Sequence, residues 1–300
     1  MNCERAHSFH SIPLVSFIIV NWNGLPVLGQ CLESIRRSCG KIPYEVIVVD
    51  NGSTDGSVEH IVQEFPEVQL IRNSQNLFFA IPTNQGIRTS RGNYLFLLNN
   101  DVRLLPGCLE YLLKALDSDQ VVGAVVPQLV YPDGRIQPSC RRLPTFLNLS
   151  QSGFQLDKLF SSKSWKMVDW GHNNPRNVEQ PMMSALLIRR ECWVDVGELD
   201  EHFPLYFNDV DWCHRALAKR WRIRFEPSAK AIHHEAWSGK KLGFRQAYLS
   251  TQGLYRYFRK YHVNSVFSWR WPVLLCLCAG LTTIWSLRNI IKLWTPQSTS

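Results

Sequence analysis

Ionisable side chains with catalytic potential stand at four places, three of them directly after a run of apolar or aromatic residues. Asp50 closes Tyr44 to Val49 and opens Asp50-Asn51-Gly52-Ser53, and Asp101 closes Tyr94 to Leu98 through Asn99-Asn100-Asp101. Asp209 and Asp211 follow the aromatic stretch Phe203 to Phe207, and His233 and His234 stand in Ile-His-His-Glu-Ala-Trp-Ser. Two kinds of chemistry suit these residues. A carboxylate fixed at a strand end can share a divalent cation with the oxygens of a bound diphosphate. A partly desolvated carboxylate can take a proton from a hydroxyl. Each residue also has a plainer reading: a turn for Asp50, a turn or helix cap for Asp101, a cap for one of Asp209 and Asp211, and a satisfied core imidazole for either histidine. The chain has no GxGxxG and no P-loop, so a diphosphate would need the cation.

The elements that must position these groups alternate. Apolar runs at Val15 to Val20, Tyr44 to Val49, Val68 to Ile71 and Tyr94 to Leu98 read as buried parallel strands. Helical spacing separates them at Leu25 to Ser38, at Val58, Ile61, Val62 and Phe65, and at Ala80 to Thr89. A further helix is expected at Leu104 to Leu116, and later a strand at Met183 to Ile188, a helix at Val210 to Lys219 and a strand at Arg222 to Phe225. This order predicts an α/β fold with a mostly parallel, doubly wound sheet flanked by helices. Ligands in such sheets lie beyond the carboxyl ends of the strands, so Asn21, Trp22 and Asn23, Asp50 to Ser53, and Asn99 to Asp101 should converge on one crevice. Pro127 to about Gln180 carries four further prolines and reads as irregular, acceptor-facing loops.

The net charge of +8 is not spread evenly. No Asp or Glu follows Glu235, while nine Lys and Arg do, leaving the first 235 residues near neutrality. That localisation argues against nucleic acid as a partner and for a C-terminal basic surface. Within the tail, Trp271 to Leu287 holds no charge, and its length of about 25 Å as a helix is close to the minimum for a membrane span. The reading allows a single-pass or an interfacial helix at a membrane surface, and also a helix packed on the rest of the fold. Nine cysteines, an odd number without a CxxC pair, suit a reducing compartment, and the run from Ile12 to Val20 lacks the features of a signal peptide. The expected location is the cytoplasmic face of the cell membrane.

In order along the chain, Val-Ser-Phe-Ile-Ile-Val-Asn-Trp-Asn-Gly at 15–24, Val-Ile-Val-Val-Asp-Asn-Gly-Ser-Thr-Asp-Gly-Ser at 46–57, Leu-Leu-Asn-Asn-Asp-Val at 97–102, Tyr-Pro-Asp-Gly-Arg-Ile-Gln at 131–137, Val-Gly-Glu-Leu-Asp-Glu-His-Phe at 196–203 and Asp-Val-Asp-Trp-Cys-His-Arg at 209–215 resemble the family 2 inverting glycosyltransferases. The bacterial branch that includes rhamnosyltransferases is the most similar. The resemblance spans about Val15 to Ser238 and implies a GT-A fold. It places Asp50 at the base or ribose of the nucleotide and Trp22 near the base, with Asn21, Asn23, Asn76, Asn84, Asn99 and Asn100 on the nucleotide side. It also implies Mg2+ or Mn2+ on Asp101, with His233, five residues before Ser238, as a second metal residue. Asp209 becomes the catalytic base, and Asp211 and Arg215 fall on the acceptor side.

The donor implied is a dTDP-, UDP- or GDP-linked sugar, rhamnose by leaning, and the acceptor a saccharide or lipid-linked hydroxyl in cell-surface polysaccharide or glycolipid synthesis. The organisation expected is a nucleotide-sugar half at 1–125, an acceptor and catalytic half at 126–238, and a basic tail at 239–300 with its membrane-associated helix at about 271–287. Three departures stand out: Asn208 where the family has Glu, bulky Phe78, Ile81 and Pro82 near family glycines, and Ser184 before Ala185. They motivate the alternative of a nucleotide-sugar-binding relative impaired in turnover. A nucleotidyltransferase on a similar sheet is a weaker alternative, because no Gly-rich phosphate loop follows the first strand.

Overall fold

The computed structural model describes residues 14–153, 164–167, 169–234, 244–263 and 265–294. Ser238, Lys240 and Lys241 lie outside the described residues, as does part of the expected acceptor-loop region. The first half runs β1 (Val15–Asn21), α1 (Leu25–Cys39), β2 (Tyr44–Asn51), α2 (Ser57–Glu64), β3 (Gln69–Asn73), α3 (Ala80–Thr89), β4 (Tyr94–Asn99), β5 (Val102–Leu104) and α4 (Cys108–Asp117). It continues through β6 (Val122–Val130), β7 (Cys140–Arg141), α5 (Phe146–Gly153), β8 (Arg176–Val178), β9 (Gln180–Pro181), β10 (Ala185–Arg189) and α6 (Arg190–Val196). The chain then forms α7 (Asn208–Ala218), β11 (Arg222–His233), α8 (Phe244–Tyr261) and α9 (Arg270–Trp294).

One sheet holds most of the strands, in the order β3, β2, β1, β4, β10, β6, β11 and β5, with β8 added to β11. β3, β2, β1 and β4 pair in parallel, as do β6 and β11, while β10 and β5 run antiparallel to their neighbours. The central strands β1, β4, β6 and β10 are almost continuously apolar because both faces are covered. One face packs Phe17, Ile19, Phe96 and Leu98 against α1 and α4, and the other packs Ile18, Leu95, Leu97 and Leu186 toward Ile87, Trp193 and Trp212. Gly86 lets α3 sit directly on the sheet, since a Cβ there would press on Ile18 and Val49. The α/β expectation holds, and the two halves of the chain share this one sheet.

One sequence reading needs correction here. The region from Pro127 onward is not loop from its start: β6 continues to Val130, and all nine of its residues are buried. A proline in a central strand removes a ladder hydrogen bond, and the sheet accommodates Pro127 at an irregularity. The register with β11 jumps from Glu226↔Pro127 to Lys230↔Gln128. The tail packs on the rest of the fold, one of the arrangements its sequence allows. Leu254, Tyr257 and Phe258 of α8 form a third core cluster with Leu149, Phe203, Val210, Leu274 and Cys278. Among the described residues no helix is long and apolar enough to cross a membrane.

Candidate active site

β1, β2 and β4 end at the same edge of the sheet, with Asn21 level with Asp50 and Val20 level with Asn99. A hydrogen-bond brace ties these ends together. The Asn21 amide donates to Asp50 Oδ1 at 2.9 Å and to Ser57 Oγ at 3.0 Å, and its Oδ1 accepts from Asn100 Nδ2 at 2.8 Å. Asp50 also accepts from the Ser53 amide at 2.9 Å and the Ser53 hydroxyl at 2.6 Å, which is the turn reading of that residue realised. Asn21, Asp50 and Asn100 are all buried, whereas Trp22, Asn23, Asn76 and Asn99 keep partial exposure. The brace therefore fixes the strand ends, and the second group stands partly exposed around them. A Cβ on Gly24 would fall inside contact distance of both Asn100 and Asn21. Gly24→Ala is expected to lower stability by about 1–3 kcal/mol through overpacking, read from the denaturant midpoint. An unchanged midpoint would mean that the brace yields freely.

Asn76 and Asn84 divide. Asn76 Oδ1 accepts the Phe78 amide at 2.8 Å, and Asn51 donates to the Phe78 carbonyl at 2.7 Å. Phe78 itself has φ +66°, a left-handed backbone that suits the glycine found near this position in the resembled family and that the two asparagines hold in place. Asn84 does not reach the crevice. It is fully buried, and its amide exchanges hydrogen bonds with the Leu199 backbone at 3.0 and 3.1 Å and donates to Glu201. Its assignment to the nucleotide side gives way to a structural one, a clamp between α3 and the 199–201 segment.

Asp101 and His233 come together. β11 pairs antiparallel with β5 so that His233 stands level with Val102, and His233 Nε2 lies 3.4 Å from Asp101 Oδ1. Both side chains are buried, yet Asp101 Oδ1 has no hydrogen-bond partner. On the far side of the ring, His233 Nδ1 sits 2.9 Å from Gln137 Oε1, a carbonyl oxygen that can only accept. Gln137 thereby holds the imidazole with its Nε2 edge turned toward Asp101. A buried carboxylate oxygen without a hydrogen-bond partner, beside an imidazole nitrogen, is a donor pair that a hard divalent cation can use. Cis ligands on a hard divalent ion with bonds of about 2.1 Å stand about 3 Å apart, so the pair fits one. Among the described residues no group of three or more His, Cys, Asp and Glu is placed to hold a metal. Two protein ligands leave positions for water or phosphate oxygens, the arrangement Mg2+ commonly takes. His234 hydrogen-bonds through its amide to the Asp101 carbonyl at 3.1 Å and so anchors that corner.

Asp209 occupies the first turn of α7, half-buried. Its Oδ1 accepts the Val210 amide at 2.8 Å and its Oδ2 accepts Gln180 Nε2 at 2.9 Å. Burial pushes its carboxyl above the usual aspartate range, while the Val210 amide, the charge on Arg141 and the Gln180 amide pull the other way. Preceding it, Phe207 has φ +68° and is clamped by α8, where Gly253 allows contact with Tyr206 and Phe207. Asn208, in place of the family's Glu, is buried; it donates to the Leu205 carbonyl and accepts the Asp209 amide at 2.7 Å. It shapes the helix entry without adding a charge.

Asp211 and Arg215 do not belong to this crevice wall. Asp211 is fully buried; it accepts from Arg215 Nε at 2.9 Å, Lys260 Nζ at 2.7 Å and the Tyr261 hydroxyl at 2.7 Å. Arg215 spends its remaining donors on the carbonyls of Val196, Gly197 and Glu198. Both residues lock α7 to α8 and to the 196–198 turn, which corrects their acceptor-side assignment. Gln137 and Gln180, which orient the histidine and the aspartate, carry no spacing signal in sequence beyond the place of Gln137 at the end of the 131–137 stretch.

Residues 16–177 match the family described as Glycosyl transferase family 2. The N-acetylglucosaminyl-diphospho-decaprenol L-rhamnosyltransferase of Mycobacterium tuberculosis is 28% identical over 236 residues, covering 74% of this chain and 76% of the relative. Among solved structures, a mannosyltransferase from Pyrobaculum calidifontis in complex with GDP-Man and Mn2+ superposes with a TM-score of 0.56 at 17% identity, covering 94% of this chain and 79% of that one. GalNAc-T7 with UDP, GalNAc and Mn2+ superposes with a TM-score of 0.56 at 15% identity, covering 74% of this chain and 44% of that one.

Proposed function

The chain belongs to glycosyl transferase family 2 and has the GT-A fold, and from that membership we propose that it transfers a sugar with inversion from a nucleotide diphosphate donor to an acceptor hydroxyl. The observation that carries the reading is the buried Asp101 and His233 pair, whose unpartnered carboxylate oxygen and imidazole nitrogen fit a divalent cation. Mg2+ or Mn2+ bound there supplies positive charge to the diphosphate as it leaves. Trp22, Asn23, Asn76 and Asn99 line the nucleotide side above the floor made by Asn21, Asp50 and Asn100. Asp209 receives the proton of the acceptor hydroxyl while that oxygen bonds to the anomeric carbon, and the bond from that carbon to the diphosphate oxygen breaks on the opposite face. A carboxylate whose proton affinity is raised by burial is a better partner for a hydroxyl than a solvated one.

The similarity to the N-acetylglucosaminyl-diphospho-decaprenol L-rhamnosyltransferase favours rhamnose as the sugar and a lipid-linked saccharide as the acceptor. Titration of UDP, dTDP and GDP into the protein with and without Mn2+ tests the donor class, and the anomeric configuration of the product by NMR tests inversion. Retention of configuration would overturn the single displacement.

The metal corner gives a prediction of its own. Asp101→Ala should remove Mn2+-dependent tightening of donor binding, with binding in chelator unchanged. Gln137→Leu keeps both ligands but frees the imidazole to rotate and change tautomer, and should weaken Mn2+ by about 10–100-fold. Free Mn2+ measured by electron paramagnetic resonance reads this without any turnover. Parental Mn2+ affinity in both variants would place the cation elsewhere.

A further inference from the structure

The first turns of α9 are apolar, and among the described residues only one side of them is covered. Leu274 and Cys278, one helical turn apart, bury themselves in the cluster shared with α8 and Leu149 of α5. Away from that seam Val273 is 40% and Leu275 46% exposed, and the segment leading into the helix presents Val266 at 49%, Phe267 at 96% and Trp269 at 73%. Scattered exposed apolar residues are ordinary, but this density within one short segment is a surface patch. An apolar helical face is normally enclosed, and here the described chain encloses one side of these turns.

Charge decides what covers the rest. No acidic residue follows Glu235, and nine cations do. Arg270, exposed, sits at the head of α9 with its guanidinium over the Trp269 ring. Closure by a second copy across a two-fold axis would set this cationic, acid-free segment against itself. An anionic lipid surface meets both features at once: aromatic rings settle at the headgroup level, aliphatic side chains reach the acyl boundary, and cations meet the phosphates.

We propose that the Val266 to Leu275 segment is an interfacial docking surface for an anionic phospholipid bilayer, with Phe267 and Trp269 inserted, Val273 and Leu275 at the acyl boundary and Arg270 on headgroup phosphate. The helix lies along the bilayer with its covered side, Leu274 and Cys278, held in the cluster shared with α8 and α5. The docked element is continuous with the catalytic framework, because Lys260 and Tyr261 of α8 hold Asp211 in the helix that carries Asp209. This inference does not depend on the transfer reaction, since lipid binding requires neither donor nor metal.

The test is co-sedimentation of the full chain with vesicles of phosphatidylcholine alone and of phosphatidylcholine mixed with phosphatidylglycerol. Binding is expected to the mixed vesicles, to weaken with salt, and to fall about tenfold or more in Phe267→Glu/Trp269→Glu. These side chains are exposed, so thermal melting and nucleotide binding of that variant should match the parent. Arg270→Gln, which leaves the aromatics in place, should reduce the preference for anionic vesicles and supplies a second arm if the double variant does not fold. Binding unaffected by these substitutions, or no binding to anionic vesicles, overturns the proposal. So does a concentration-dependent dimer that Phe267→Glu/Trp269→Glu breaks, which would make the patch an interface between copies.

Discussion

Asp209→Asn is expected to lower transfer by about 10²–10⁴-fold, the usual weight of a positioned general base, while donor affinity stays near the parental value. The substitution is nearly isosteric, and the side-chain oxygen of asparagine can still accept the Val210 amide that Asp209 Oδ1 now binds at 2.8 Å. The start of α7 should therefore survive, and the loss should fall on the chemical step. Calorimetric donor binding and release of nucleoside diphosphate in the presence of acceptor separate the two. Transfer within about tenfold of the parent would remove Asp209 as the base. A parent that binds donor and metal yet neither transfers nor hydrolyses would instead favour the binding-protein alternative raised by Asn208.

The same carboxylate sets a pH dependence with a definite sign. Only the ionised form of Asp209 accepts a proton, so kcat/KM falls as pH drops through its pKa. Burial raises that pKa, so the acidic limb should lie above the ordinary aspartate range. Gln180 donates to Asp209 Oδ2 at 2.9 Å and thereby favours the ionised form. Gln180→Leu removes that donor, and the limb should move to higher pH while the plateau above it changes less. A limb that stays in place would show that Gln180 does not tune the base.

Much of this arrangement was visible in the sequence for local reasons. Val15 to Val20 and Tyr94 to Leu98 are continuous apolar runs stopped by asparagines, and a buried parallel strand ending at a crevice produces that pattern. The distance between Asp101 and His233 could not be read, because it follows from the pairing of β11 with β5 across more than a hundred residues. β6 was hidden by Pro127, whose missing amide is tolerated only through a register shift in a partner strand distant in sequence. The misassignment of Asn84 has a similar origin: its partners are at Leu199 and Glu201, and nothing near position 84 announces them. Asp211 and Arg215 were the avoidable error. Their i,i+4 spacing on a helix is the ordinary signature of an intrahelical ion pair, which the structure contains at 2.9 Å.

That pair leads to the largest expected effect on stability. Asp211 has no exposed surface and neutralises two cations from different helices, Arg215 within α7 and Lys260 on α8. Lys260 also binds Asp200 at 2.7 Å, whose carboxyl is disfavoured by burial but is held down to about 2 by its hydrogen bonds to Lys260 and His202. Asp211→Ala leaves a buried guanidinium contact and the Tyr261 hydroxyl without their acceptor. Removing one member of a buried pair typically costs about 3–5 kcal/mol. The cost here should lie near the lower end, about 3 kcal/mol, because Lys260 is 37% exposed and keeps Asp200, and Arg215 keeps its carbonyls. Lys260→Met should cost less in the Asp211→Ala background than alone, since its contact with Asp211 is already gone and only that with Asp200 is lost. Denaturant midpoints of the two single variants and the double variant measure this coupling directly. An acceptor-binding Asp211 would behave in the opposite way, with the midpoint unchanged and the acceptor KM raised. Because α8 also clamps Phe207 ahead of Asp209, loosening this joint should lower transfer only as far as it releases that clamp. Transfer by the folded fraction of Asp211→Ala should then remain well above that of Asp209→Asn.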